Sequence, residues 1–173
     1  MISTFAYTES IMKIRKNTYF ETMMKIAKAY ENVRSEHEKK KDQIVETYGY
    51  GSKELDTWYD EKTVIERQLP YTSGEYIALR SWWLSKEESF ECVVISEFFL
   101  NKEDVKDFVN TMRKAGITEF LTVDSSTALM GNISWFTDCG CTISALCEVH
   151  SGRWDEVKPG LKFRIEDKDL NSV

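Results

Sequence analysis

The segment NKEDVKDFVNTMRKAGITEFLTVD, residues 101–124, decides the fold. Asn101 suits an N-cap, and Glu103 and Asp104 fall in the first turn, where the helix dipole favours anions. Val105, Phe108, Val109 and Met112 recur at helical spacing as a buried stripe. Arg113 and Lys114 complement the last turn, Gly116 closes it and Ile117 follows. Residues 119–124 (EFLTVD) then read as a short strand. The run before Asn101, residues 90–100 (FECVVISEFFL), is apolar and β-branched at its centre, so it reads as a strand too. A helix of about fifteen residues between two strands is a crossover connection, which predicts that the two strands pair in parallel.

Toward the C-terminus, Ser125 or Ser126 caps a helix that runs to about Asp138 and stops at Gly140. Residues 141–150 (CTISALCEVH) form the next strand. Ser151-Gly152 turns the chain, and residues 153–165 return as a strand interrupted at Pro159-Gly160. Residues 167–173 are a frayed tail.

Toward the N-terminus, residues 75–84 (EYIALRSWWL) are rich in β-formers and read as a strand antiparallel to residues 90–100. On that strand Trp82 and Trp83 take opposite faces. Residues 8–48 read as one long helix. Its apolar seam has one row at Met12, Tyr19, Ile26 and Val33, and a second at Met23, Tyr30, His37 and Ile44. The charged run at residues 34–43 is a solvated face. Gly49-Tyr50-Gly51 ends the helix. A second helix starts at Ser52 and runs to about Gln68, with Leu55, Trp58, Tyr59, Lys62 and Ile65 on one face, and Pro70 ends it. The expected architecture is a single α/β domain: a helical hairpin (residues 1–70) packed on a mixed sheet with two crossover helices and a closing β-hairpin (residues 75–166).

Composition bounds the function. The 173 residues are 42% hydrophobic and 13% aromatic, which fits one ordered domain. A net charge of −6 argues against direct nucleic-acid binding through a basic face. No apolar run is long enough to span a bilayer and no signal peptide opens the chain, so a cytoplasmic location without membrane contact is expected. Cys92, Cys139, Cys141 and Cys147 lie in or beside apolar segments without zinc-ligand spacing, and read as buried free thiols. No metal and no cofactor are expected.

The order of elements, with LTVDSS at Leu121 to Ser126 and WFTDCGCT at Trp135 to Thr142, resembles the GCN5-related N-acetyltransferase (GNAT) fold over roughly residues 100–165. In that family the strand before the first crossover helix leads into a glycine-rich loop whose amides hold the pyrophosphate of acetyl-CoA. Here the same place reads Phe98-Phe99-Leu100-Asn101-Lys102-Glu103-Asp104, with no glycine and two acids that repel a phosphate. The family's general-acid tyrosine falls on Phe136, which has no ionisable proton. The resemblance therefore implies the scaffold without the cofactor chemistry. The helical start and the segment TEFLTVDSSTALM, residues 118–130, also resemble uncharacterised accessory proteins of Gram-positive bacterial mobile elements, a group that includes anti-CRISPR inhibitors.

Three candidate sites follow. Asp124, Ser125 and Ser126 stand where a parallel strand hands over to a helix, a common ligand crevice, although N-capping alone explains them. Met23, Tyr30, Val33 and Ile44 on the long helix form a partner surface for another protein or for a second copy. His150, Ser151 and Asp155 crowd a hairpin turn and do not suit a catalytic triad. The expected function is a non-catalytic protein-interaction module. An acyl-CoA-dependent N-acyltransferase with an atypical loop, and a small-ligand sensor using the Asp124–Ser126 crevice, are the alternatives.

Overall fold

The computed structural model describes residues 14–123, 128–151 and 156–167. The described residues contain five helices of eight residues or more and four strands, a mixed α/β fold. In chain order these are α1 (Thr18–Tyr48), α2 (Lys53–Arg67), α3 (Ser73–Glu87), β1 (Val93–Ile95), α4 (Lys102–Lys114), β2 (Glu119–Thr122), α5 (Ala128–Asp138), β3 (Cys141–Val149) and β4 (Lys158–Ile165). They group into two compact units. One holds the residues up to Glu21 and those from Tyr71 onward, and the other is Thr22–Pro70.

In the first unit the sheet order is β1-β2-β4-β3. β1 and β2 pair in parallel, with Val94 opposite Leu121, as the crossover length predicts. β4 runs antiparallel to both β2 and β3. The expected boundaries of α4 hold closely. Asn101 Oδ1 accepts the Asp104 N–H at 2.8 Å, Gly116 takes a φ of +70°, and the Ile117 N–H returns to the Met112 carbonyl.

Alternation along the strands gives the sheet two unlike faces. One presents Phe120 and Phe163, whose rings stack 5.2 Å apart. Phe136 of α5 meets both at 5.0 Å, and Phe108 of α4 meets Phe120 at 5.3 Å. The other face holds a small cluster of Val94, Val123 and Val149 with Phe90, Leu121 and Cys147 packed against it. Burial there pushes the Cys147 thiol up, and pushes that of Cys92 up to about 12. None of the four cysteines forms a disulfide.

Four expected elements differ. Residues 75–84 are not a strand but the body of α3. Thr72 and Glu75 form a reciprocal capping box, and Ala78, Ser81, Trp82 and Ser85 turn inward at helical spacing. Period outweighed the β-propensity of the aromatic residues. Trp82 and Trp83 therefore do not take opposite faces of a strand: Trp82 is buried, stacks on Phe20 at 5.2 Å and donates Nε1–H to the Ile14 carbonyl at 2.7 Å, while Trp83 lies half-buried beside it. The expected antiparallel partner of residues 90–100 is thus absent. That strand itself shrinks to Val93–Ile95, because Asn132 of α5 takes both backbone polar groups of Phe99, accepting its N–H (2.7 Å) and donating to its carbonyl (3.0 Å).

β4 runs unbroken through Pro159 and Gly160. Proline is tolerated because β2 ends opposite Leu161, so Pro159 has a neighbour only in β3. At Gly160 a Cβ would stand 2.9 Å from Val149 Cγ2, so the close hairpin needs glycine. β3 is the terminal strand of the sheet, bulged between Ile143 and Ala145, with Leu146 80% exposed. At the opposite end the Ser85 hydroxyl of α3 accepts the outward Val94 N–H at 2.8 Å.

The long helix begins later than residue 8. A helical turn at Ile14-Arg15 stops, and Asn17 starts α1 afresh: its Oδ1 accepts the Phe20 N–H (3.1 Å) while its Nδ2 donates to the Ala115 carbonyl at 2.7 Å. Residues 8–13, and with them Met12, lie outside the described residues, as do residues 152–155 and the tail from residue 168.

Candidate interaction site

The second unit is a helical hairpin whose middle is fixed by one aromatic pair. His37 of α1 and Trp58 of α2 stack face to face, centroids 4.9 Å apart and planes 6° from parallel. Trp58 Nε1–H donates to the His37 backbone carbonyl at 2.9 Å, and His37 Nε2 lies 3.0 Å from the Trp58 carbonyl. A carbonyl only accepts, so Nε2 carries the proton. The other ring nitrogen, Nδ1, faces the Glu61 carboxylate at 3.6 Å. Lys41 and Lys62 lie over the Trp58 ring at 5.1 and 5.2 Å. Lys62 also pairs with Glu38 at 2.9 Å, and that hydrogen bond holds Glu38 below the usual carboxylate range.

The row at Met23, Tyr30, His37 and Ile44 is buried or half-buried, as expected of a seam. Its companion is Phe20, Ala27 and Lys41, one residue beyond the expected row, so Ile26 and Val33 face outward. Lys41 fills a seam position with its aliphatic stem. Of the four residues expected on a partner surface, Met23 is buried, Tyr30 and Ile44 are half-buried, and Val33 is 53% exposed.

Val33 borders a cleft of about 500 Å³ between α1 and α2. Its apolar surface comes from Val33, Val64 and Ile65, with Val64 52% exposed, and the His37 ring lies at its floor. Its charged lining is Glu36, Asp60 and Glu61 against the single cation Lys40. The α1 contributors stand at i, i+3, i+4 and i+7 from Val33, one face of a helix. The sequence reading named Val33 and Ile65 but not Val64, Glu36, Asp60 or Glu61. Spacing from Val33 on α1 points to Glu36, and the same helical spacing of Thr57, Asp60, Glu61 and Val64 on α2 points to the rest.

The other expected sites are less built. Asp124, Ser125 and Ser126 lie outside the described residues, as does Asp155. The Ser151 hydroxyl donates to Glu88 at 2.9 Å. At the start of α4 the Asn101 side chain holds Asp104 at both its N–H and its carboxylate (2.8 Å each), and Glu103 pairs with Lys106 at 3.6 Å. Phe136, at the general-acid position of the resemblance, is a buried core ring. Among the described residues no group of three or more His, Cys, Asp or Glu side chains could hold a metal, and no helix is long and apolar enough to cross a membrane.

A family model, that of a domain of unknown function (DUF7698), matches residues 78–165. The chain belongs to that family. The DUF7698 match begins within α3 and ends with β4, so it covers the sheet and its helices and leaves out the cleft of the helical hairpin. No curated protein and no solved structure matches the chain.

Proposed function

We propose that the protein is a non-catalytic, acidic interaction module that binds another protein through its helical hairpin. The observation that carries this reading is the cleft between α1 and α2, where Val33 and Val64 stand more than half exposed beside a buried, hydrogen-bonded His37–Trp58 pair. Exposed apolar side chains on a rigid support are the common mark of a contact surface. Accessory factors and inhibitors, including the mobile-element class that the sequence resembles, are of this kind. The start of α4 supports the non-catalytic part of the reading, because the amide at Asp104 is already taken by Asn101 and the turn carries two carboxylates.

Val33→Glu with Val64→Glu tests the reading, since both side chains are more than half exposed and stand outside the buried core. A partner identified by mass spectrometry and then purified should bind the native chain stoichiometrically. It should lose at least about tenfold in affinity to the double variant, the effect of charging a contact centre. Undiminished binding to the folded variant overturns the assignment to this cleft.

A further inference from the structure

We infer that the cleft between α1 and α2 takes a basic amphipathic helix of the partner, seated as the third helix of a bundle. This rests on the interaction reading above and adds the chemistry of the occupant.

Charge selects a cationic occupant. On the hairpin Glu38 pairs with Lys62, and Glu31 with Arg34 at 3.0 Å. Around the cleft, Glu36 and Asp60 have no ion pair among the described residues. Glu61 faces Nδ1 of the His37 ring at 3.6 Å, and three carboxylates stand against one ammonium. Arginine or lysine beside an apolar stripe meets both features, the carboxylates by charge-assisted bonds and the valines by burial.

Backbone chemistry selects a helix. Both walls are helices, whose main-chain groups are satisfied internally, so an extended segment would find no ladder to join and would strand its own N–H and C=O groups. A helix carries its hydrogen bonds with it. From Thr57 to Gln68 the α2 wall runs about 16 Å, three turns, which suits anchors at i, i+4 and i+7.

The probe is a synthetic fluorescent helix about five turns long, with leucines on one stripe and arginines flanking it. Its control carries glutamate for every arginine. Anisotropy titrations with the full chain should show saturable binding of the arginine helix. Affinity should fall at least about tenfold for the glutamate helix, for Glu36→Lys with Asp60→Lys, and on raising salt from about 0.05 M to about 0.5 M. Equal binding of the two helices, or indifference to the charge reversal, overturns the inference. So does complete displacement by equimolar spermine, which would make the occupant a free polycation. A dimer in light scattering that dissociates in the Val33→Glu, Val64→Glu variant would make it a second copy. If the natural partner still needs Val33 and Val64 but the arginine helix fails to bind, only this inference falls. If the helix binds and the natural partner ignores the cleft, the interaction reading falls instead.

Discussion

One side-chain amide holds together the loop that leaves β1. Asn132 is buried on α5 and serves both polar groups of Phe99, whose ring packs against Phe136 at 5.5 Å. Replacing it with alanine leaves a buried N–H and a buried carbonyl without partners, each costing about 1–3 kcal/mol. Asn132→Ala should therefore lower Tm by several degrees, roughly 2–4 °C for each kcal/mol in a chain of this size, as calorimetry would read. An unchanged Tm would show that water replaces the amide. Such roles were not legible in the sequence: Asn132 meets Phe99 across 33 positions and Asn17 meets Ala115 across 98. Local caps were legible, because Asn101 and Asp104 stand three residues apart and the spacing alone specifies the bond.

Where a periodic stripe agreed with its caps, as in α4, the sequence reading held to within a residue or two. Where propensity and period disagreed, as at residues 75–84, period was the better guide, and the Thr72–Glu75 capping box was there to be seen. The cleft was half legible: its helices and Val33 followed from spacing, but which of two adjacent heptad rows turns inward depends on packing that spacing does not specify. A close approach of helices was illegible for the same reason. At Gly74 of α3 an added Cβ would stand 2.0 Å from the Asp104 carbonyl oxygen of α4. Gly74→Ala must therefore push the two helix starts apart, and overpacking of this kind costs about 1–3 kcal/mol or more. Urea titration should show a lower midpoint for Gly74→Ala, whereas Gly131→Ala, in open space on α5, should match the native chain or exceed it slightly.

For the molecule as a whole, the expected lack of acetyl-CoA chemistry rests on the start of α4. The parallel β1–β2 pair and its crossover helix are present, yet the start of α4 offers a phosphate a capped amide and two carboxylates. Titration of the chain with coenzyme A should give no heat beyond dilution up to about millimolar ligand, weaker than about −4 kcal/mol of binding. Micromolar binding abolished by Asn101→Glu would restore the acyltransferase reading. The sheet's two ends carry a different consequence. Because the Ser85 hydroxyl occupies the outward Val94 N–H of β1, the edge left open to strand addition among the described residues is that of β3. In the language of polymer chemistry the sheet is a monofunctional unit: a single strand added there, whether from another protein or another copy, caps it, and edge-to-edge propagation into a fibre has no second reactive end from which to continue.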